Sequence, residues 1–151
     1  KGFRWCGVAE DDIILAEDFG VRLNLVLDDA WNKRYPVVNL YSNYLEDVLA
    51  LSRGEAWRRF PGRQFRNEQF LIMRSDVVKG FLDFIPSVDT SSFGRGWSDY
   101  LLSLYFKDAG LDVMIVLPNL VDHKNEKSTV GHPRKVGGQE RRSRTFGMIV
   151  P

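Results

Sequence analysis

An α/β domain, with a mainly parallel sheet flanked by helices, is the fold class the sequence predicts. Short apolar, β-rich runs alternate along the chain with stretches of helical periodicity, the pattern of a layered sheet-and-helix domain. The 151 residues, 44% hydrophobic and 13% aromatic, are enough for one sizeable core, since domains most often hold roughly 100 to 150 residues. Three neighbouring acids, Glu10, Asp11 and Asp12, follow an apolar run, the place where sites collect in such sheets, at the C-terminal ends of strands.

Taken in order, Trp5 to Ile14 (WCGVAEDDII) reads as a buried strand that delivers carboxylates at its tip. Phe19, Leu23, Val26 and Leu27 then recur at helical spacing, with Asp18 placed to cap that helix. Pro36 to Tyr41 (PVVNLY) is β-rich and predicts a central strand, whereas Asn43 to Ser52 follows neither period. A basic, aromatic loop leads to a strand within Phe65 to Arg74. Ser75 to Phe84 predicts a helix capped by Ser75, with Val77, Val78, Phe81 and Leu82 inward and Pro86 ending it. Ser87 to Gly96 is a Ser- and Gly-rich loop, and Ser98 to Ala109 is a helix closed by Gly110. Leu111 to Leu117 (LDVMIVL) is the last strand, stopped by Pro118. From Lys124 the hydrophobic pattern gives way to Gly, Pro and basic residues, so 1–131 is read as the core and 132–151 as a basic tail or lid.

Composition narrows the function classes. Lys and Arg total 21 against 20 acids, a net charge of +1, which gives no global field for nucleic acid or membrane surfaces. No apolar run approaches the roughly 20 residues needed to span a bilayer. The single Cys6 excludes an intrachain disulfide and fits a buried small hydrophobe in a reducing, cytoplasmic setting. The chain starts at Lys1 and enters a strand within a few residues, which reads as the middle of a domain.

Three constellations carry chemistry. Adjacent carboxylates at a strand end repel one another unless a cation or hydrogen-bond donors compensate them, and Mg²⁺ or Mn²⁺ is the natural oxygen-bound choice. The same Glu10-Asp11-Asp12 triplet also reads as a solvated acidic turn capping the next helix. His123, at the end of PNLVDH, leaves the last predicted strand on the rim where the triplet is expected, and its imidazole suits Mn²⁺ better than Mg²⁺. It equally reads as a polar residue opening a surface loop. Asp99, in Trp97-Ser98-Asp99, opens a helix, where a carboxylate is favoured by the helix dipole; facing a pocket, it is also a candidate general base.

The segments WCGVAEDDIILAEDF, FRNEQFLIMRSDVVKGFLDF and GWSDYLLSLYFKDAGLDVMIVLPNLVDHKNEKSTVG, in that order, resemble the central and C-terminal parts of bacterial and phage GT-A glycosyltransferases of the lipooligosaccharide (family 25-like) type. The resemblance implies a GT-A-like, Rossmann-like sheet whose N-terminal nucleotide-binding strands are missing from this chain. It puts the D-x-D-like motif on Glu10, Asp11 and Asp12, with Asp12 and Glu10 as metal ligands and His123 as a third. Asp99 would be the acceptor-side acid, a base if the enzyme inverts. Asp11, Asn67, Glu68, Gln69 and Trp97 would line the donor and acceptor pocket, while Lys127, Ser128, Arg134 and Arg144 would be available to a diphosphate. EDD departs from a strict D-x-D.

The implied function is metal-dependent transfer of a sugar from a nucleotide diphosphate, UDP foremost, to an acceptor hydroxyl. Two other readings stay open. One is a non-catalytic binding or structural module that kept the transferase core, lost the nucleotide half and holds a partner with its basic tail; a missing N-terminal half or partner chain is the further partner expected. The other is a phage DNA-base glucosyltransferase, drawing on Arg58, Arg59, Arg63, Arg66 and Arg141 to Arg144 near Trp57 and Phe60.

Overall fold

The computed structural model describes residues 4–66, 69–89, 91, 98–124 and 142–148, and the backbone alone of 135–136 and 139–140. Strand β1 (Trp5–Ala9) leads through the acidic turn to β2 (Ile13–Leu15) and helix α1 (Phe19–Asn32). Strand β3 (Val37–Asn39), helix α2 (Leu45–Ser52) and strand β4 (Trp57–Pro61) follow. After a 3-10 turn come β5 (Phe70–Arg74), α3 (Ser75–Phe84), α4 (Ser98–Asp108), β6 (Asp112–Val116) and β7 (Val121–His123), then the short β8 (Lys135–Val136) and β9 (Gln139–Glu140).

Five strands form one sheet in the order β1-β5-β3-β6-β4, and β2 pairs with β7 in a separate two-stranded ribbon. The expected mainly parallel sheet is corrected to a mixed one. Only β3 and β6 run parallel, while β1–β5, β5–β3 and β6–β4 are antiparallel. Alternation of strands and helices argues for parallel neighbours only if each strand is followed by a helix, and β4 breaks that sequence. β1, β3 and β6 still point the same way, so their C-terminal ends share one rim. That rim carries the acidic turn, residues 40–43, and the Leu117-Pro118-Asn119 passage.

The two sheet faces follow from the period of two along each strand. Val37, Leu71, Met73, Val113 and Ile115 pack with Val77, Leu102, Tyr105 and Phe106 of α3 and α4. Val38, Ile72, Met114 and Val116 turn to the other face, against Ala30, Leu23, Val26 and Leu27 of α1. Each fully buried side chain of the size of Leu71 or Phe106 contributes on the order of 2 kcal/mol by leaving water. Gly62 sits so close beneath α4 that a Cβ there would meet the Leu111 carbonyl oxygen at 2.2 Å. Gly110 ends α4 with φ +63°, the left-handed position expected of it.

Several local expectations shift. The basic, aromatic stretch before Phe65 is the edge strand β4, where Arg59 donates to Asp112 (2.6 Å) and Arg58 pairs with buried Asp47. Charges and a terminal proline are common devices of edge strands. Residues 45–52, which matched neither period, form α2; they bury Asp47 and expose Leu45 and Leu49, so the apolar stripe is broken. β1 was expected to be buried, yet it lies at the sheet edge with Cys6 to Ala9 exposed, so Cys6 is not core filler. Apolar composition marks a strand without showing how many of its faces are covered. Asp18 is the N-cap of α1 without a side-chain cap bond, and the N-cap of α3 is Arg74 rather than the expected Ser75, which is the first helical residue. Among the described residues no helix is long and apolar enough to cross a membrane.

Candidate metal centre

Two acids of one turn and a histidine more than a hundred residues later converge beyond β1. Glu10 follows β1 directly, and its amide donates to the Gln69 carbonyl at 2.9 Å, extending the β1–β5 ladder by one step. Asp12 ends the turn before β2. His123 ends β7, opposite Ile13 in the ribbon, and the Lys124 amide donates to the Asp12 carbonyl at 2.7 Å. The chain therefore delivers two of the three groups on facing strand ends and the third from the main sheet. One ligand atom from each of Glu10, Asp12 and His123 lies within 4.8 Å of the others.

His123 Nε2 is 3.0 Å from Asp12 Oδ2 and 3.8 Å from Glu10 Oε2. Its Nδ1 is 2.7 Å from the Lys124 carbonyl oxygen. A carbonyl only accepts, so Nδ1 carries the proton and, in a neutral ring, Nε2 turns its lone pair toward two carboxylates. That arrangement is repulsive unless Nε2 gains a proton or a cation sits between the groups. Ligand atoms about 2.1 Å from one ion and at right angles lie about 3 Å apart, so the spacing fits a shared divalent ion. The imidazole is almost fully buried, whereas the two acid side chains are about one-third exposed. Asp12 Oδ1 is buried and has no hydrogen-bond partner, a shortfall that a cation or its waters would remove. The donor set of two carboxylates and one imidazole fits Mn²⁺ or another divalent ion that accepts nitrogen.

The remaining expected site residues divide into groups. Asp11 is exposed at the turn, outside the converging three. Gln69 is buried next to Glu10, with its Oε1 lacking a partner. Asp99 is half-buried at the start of α4, does not join the converging group, and lies close enough to Tyr44 for its charge to act on the phenol. Burial raises the Tyr44 pKa; Arg58 and Arg66 oppose that rise, while Asp47 and Asp99 add to it. Arg66 donates to the Phe65 carbonyl (2.7 Å) and Ser103 Oγ (2.5 Å) and stands over the Tyr100 ring. Arg144 donates to the Asn43 carbonyl at 3.0 Å. Asn67, Glu68, Trp97, Lys127, Ser128 and Arg134 lie outside the described residues.

Sequence reasoning missed Asp122 and Asn119. Asp122 is buried beside His123 and takes bonds from Arg142 Nε (2.6 Å) and the Ser143 amide (2.7 Å). The cue lay in Asn119, Asp122 and His123 crowding one strand exit, which only the position of residues 142–146 turns into a network. No family model, curated protein or solved structure matches this chain.

Proposed function

We propose that this chain is the catalytic, metal-binding part of a GT-A-type glycosyltransferase that uses a nucleotide diphosphate sugar, with UDP as the first nucleotide to test. The observation that carries the reading is the convergence of Glu10, Asp12 and His123 within 4.8 Å at the strand rim. An acidic motif after a strand and a late histidine are what the resemblance requires at one point. Bound there, Mn²⁺ or Mg²⁺ would supply Lewis-acid neutralisation of the departing diphosphate. Asp12 and Glu10 would hold the ion through oxygen, and His123 through Nε2, its ring fixed by the Lys124 carbonyl. Gln69, buried beside Glu10 with an open acceptor, would take a hydrogen bond from a sugar hydroxyl. Asp99 would orient and deprotonate the acceptor hydroxyl, giving inversion at the anomeric carbon.

A hydroxyl of a carbohydrate is favoured over a base in DNA as acceptor, because Arg58, Arg59, Arg66 and Arg142 are engaged by groups of the protein itself. A DNA surface needs cations free to replace counterions. Calorimetric titration of UDP with and without Mn²⁺ tests the reading. Binding should require the metal and should be lost in Asp12→Ala and His123→Ala. Metal-independent binding, or none to the folded wild type, would count against it.

A further inference from the structure

We infer that residues 142–146 are a clasp that positions His123 for metal, with Arg142 and Asp122 as its positioning pair; this rests on the metal reading above. The ribbon that presents Asp12 and His123 is only three residue pairs long, and an isolated two-stranded ribbon is marginal in water. Its ligands stand at its end, where strands fray first. One side of β7 is tied to the main sheet, through the Leu120 and Val121 amides donating to the Leu40 carbonyl at 3.1 and 3.2 Å. The other tie comes from about twenty residues downstream.

Asp122, only 1% exposed, is the point of attachment. Its Oδ2 receives Arg142 Nε at 2.6 Å and also pairs with Arg142 Nη2. Its Oδ1 receives the Ser143 amide at 2.7 Å and the His123 amide at 2.9 Å. One carboxylate thus joins the clasp to the backbone of the metal-ligand histidine itself. A second anchor stands two residues before the strand. Asn119 Oδ1 receives Ser143 Oγ (2.6 Å) and Thr145 Oγ1 (3.0 Å), and the Asn119 amide donates back to Thr145 Oγ1 (3.0 Å). Ser143 Oγ in turn accepts the Thr145 and Phe146 amides, at 3.2 and 3.0 Å, which gives the segment its own shape. Asn119 and Thr145 are fully buried. Such charge-assisted and buried bonds are the stronger kind. They restrain the main chain at residue 122, so the His123 ring starts from a fixed point and Nε2 needs little further ordering to meet a cation.

The test is Mn²⁺ titration by calorimetry on the full chain at 25 °C, comparing wild type, Arg142→Ala and Arg142→Lys, with circular dichroism to confirm equal folded content. Arg142 is half exposed, so its removal opens no cavity in the core, and the Asp122 carboxylate keeps its two main-chain donors. The expected result is a roughly tenfold weaker Mn²⁺ affinity in Arg142→Ala, the usual scale for partners that orient a ligand, with part of it recovered in Arg142→Lys. If the wild type binds Mn²⁺ and Arg142→Ala binds it equally well, the clasp is overturned and the metal site stands. If the folded wild type does not bind Mn²⁺, both fall. Should Arg142→Ala not fold, Ser143→Ala loosens the same segment from Asn119. A severalfold loss of affinity there supports the clasp, and an unchanged affinity overturns it.

Discussion

Asp12 and Asp122 belong to the same small ribbon, Asp12 just before β2 and Asp122 in the middle of β7 opposite Ile14, and are treated in opposite ways. Asp122 is buried with every oxygen supplied: a guanidinium on one side, two main-chain amides on the other. Asp12 is about one-third exposed, shares its histidine contact with a neighbouring carboxylate, and keeps one buried oxygen without a partner. A carboxylate that serves the fold is compensated by the chain that folds. One left short of donors beside another acid and an imidazole costs stability, unless something from solution completes it.

The contrast is sharpest in a pair of substitutions. Asp12→Asn should weaken Mn²⁺ binding by about a hundredfold, or ~2.7 kcal/mol, while the metal-free melting temperature stays level or rises, because one of two crowded negative charges is gone. Calorimetry and a thermal melt in chelator would show both. A drop in metal-free stability would mean that Asp12 is a structural acid like Asp122. Asp122→Ala should do the reverse first, lowering stability by on the order of 2 kcal/mol through the loss of its bonds to Arg142, Ser143 and His123. Urea unfolding without metal measures this directly. An unchanged midpoint would remove the distinction between the two acids.

A smaller effect concerns the cluster around Asp99. Burial raises the Tyr44 pKa above the ordinary phenol value. A pKa that is higher in the folded state gives stability that is fully present below about pH 10 and is lost as pH rises through the folded value. Wild type should therefore lose stability more steeply than Tyr44→Phe above about pH 10. Phenylalanine keeps the stack on Phe60 and has no proton to lose. Parallel stability profiles for the two proteins would show that the phenol is not held neutral by the fold.

Much of this was legible in the chain. The bounds of α3 are those expected, Ser75 to Phe84, although Leu82, expected inward, is exposed, and the runs PVVNLY, FLIMR and LDVMIV hold the three inner strands. Periods of 3.6 and 2 arise from local geometry, so local sequence reports them. The direction of a strand and its place at the centre or edge depend on distant partners. That is why a mixed sheet replaces the parallel one, and why β4 and the exposed edge position of β1 could not be read.

The site shows the same division. In the sequence, Glu10, Asp12 and His123 supported a metal site as one reading, beside a solvated acidic turn and a polar residue opening a surface loop. Their meeting was decided by the antiparallel pairing of β2 with β7, across more than a hundred residues of chain, and of β1 with β5. The role of Asp122 was likewise settled only by the return of residues 142–146. A hydrogen bond joins groups through space, and a sequence orders them only along the chain.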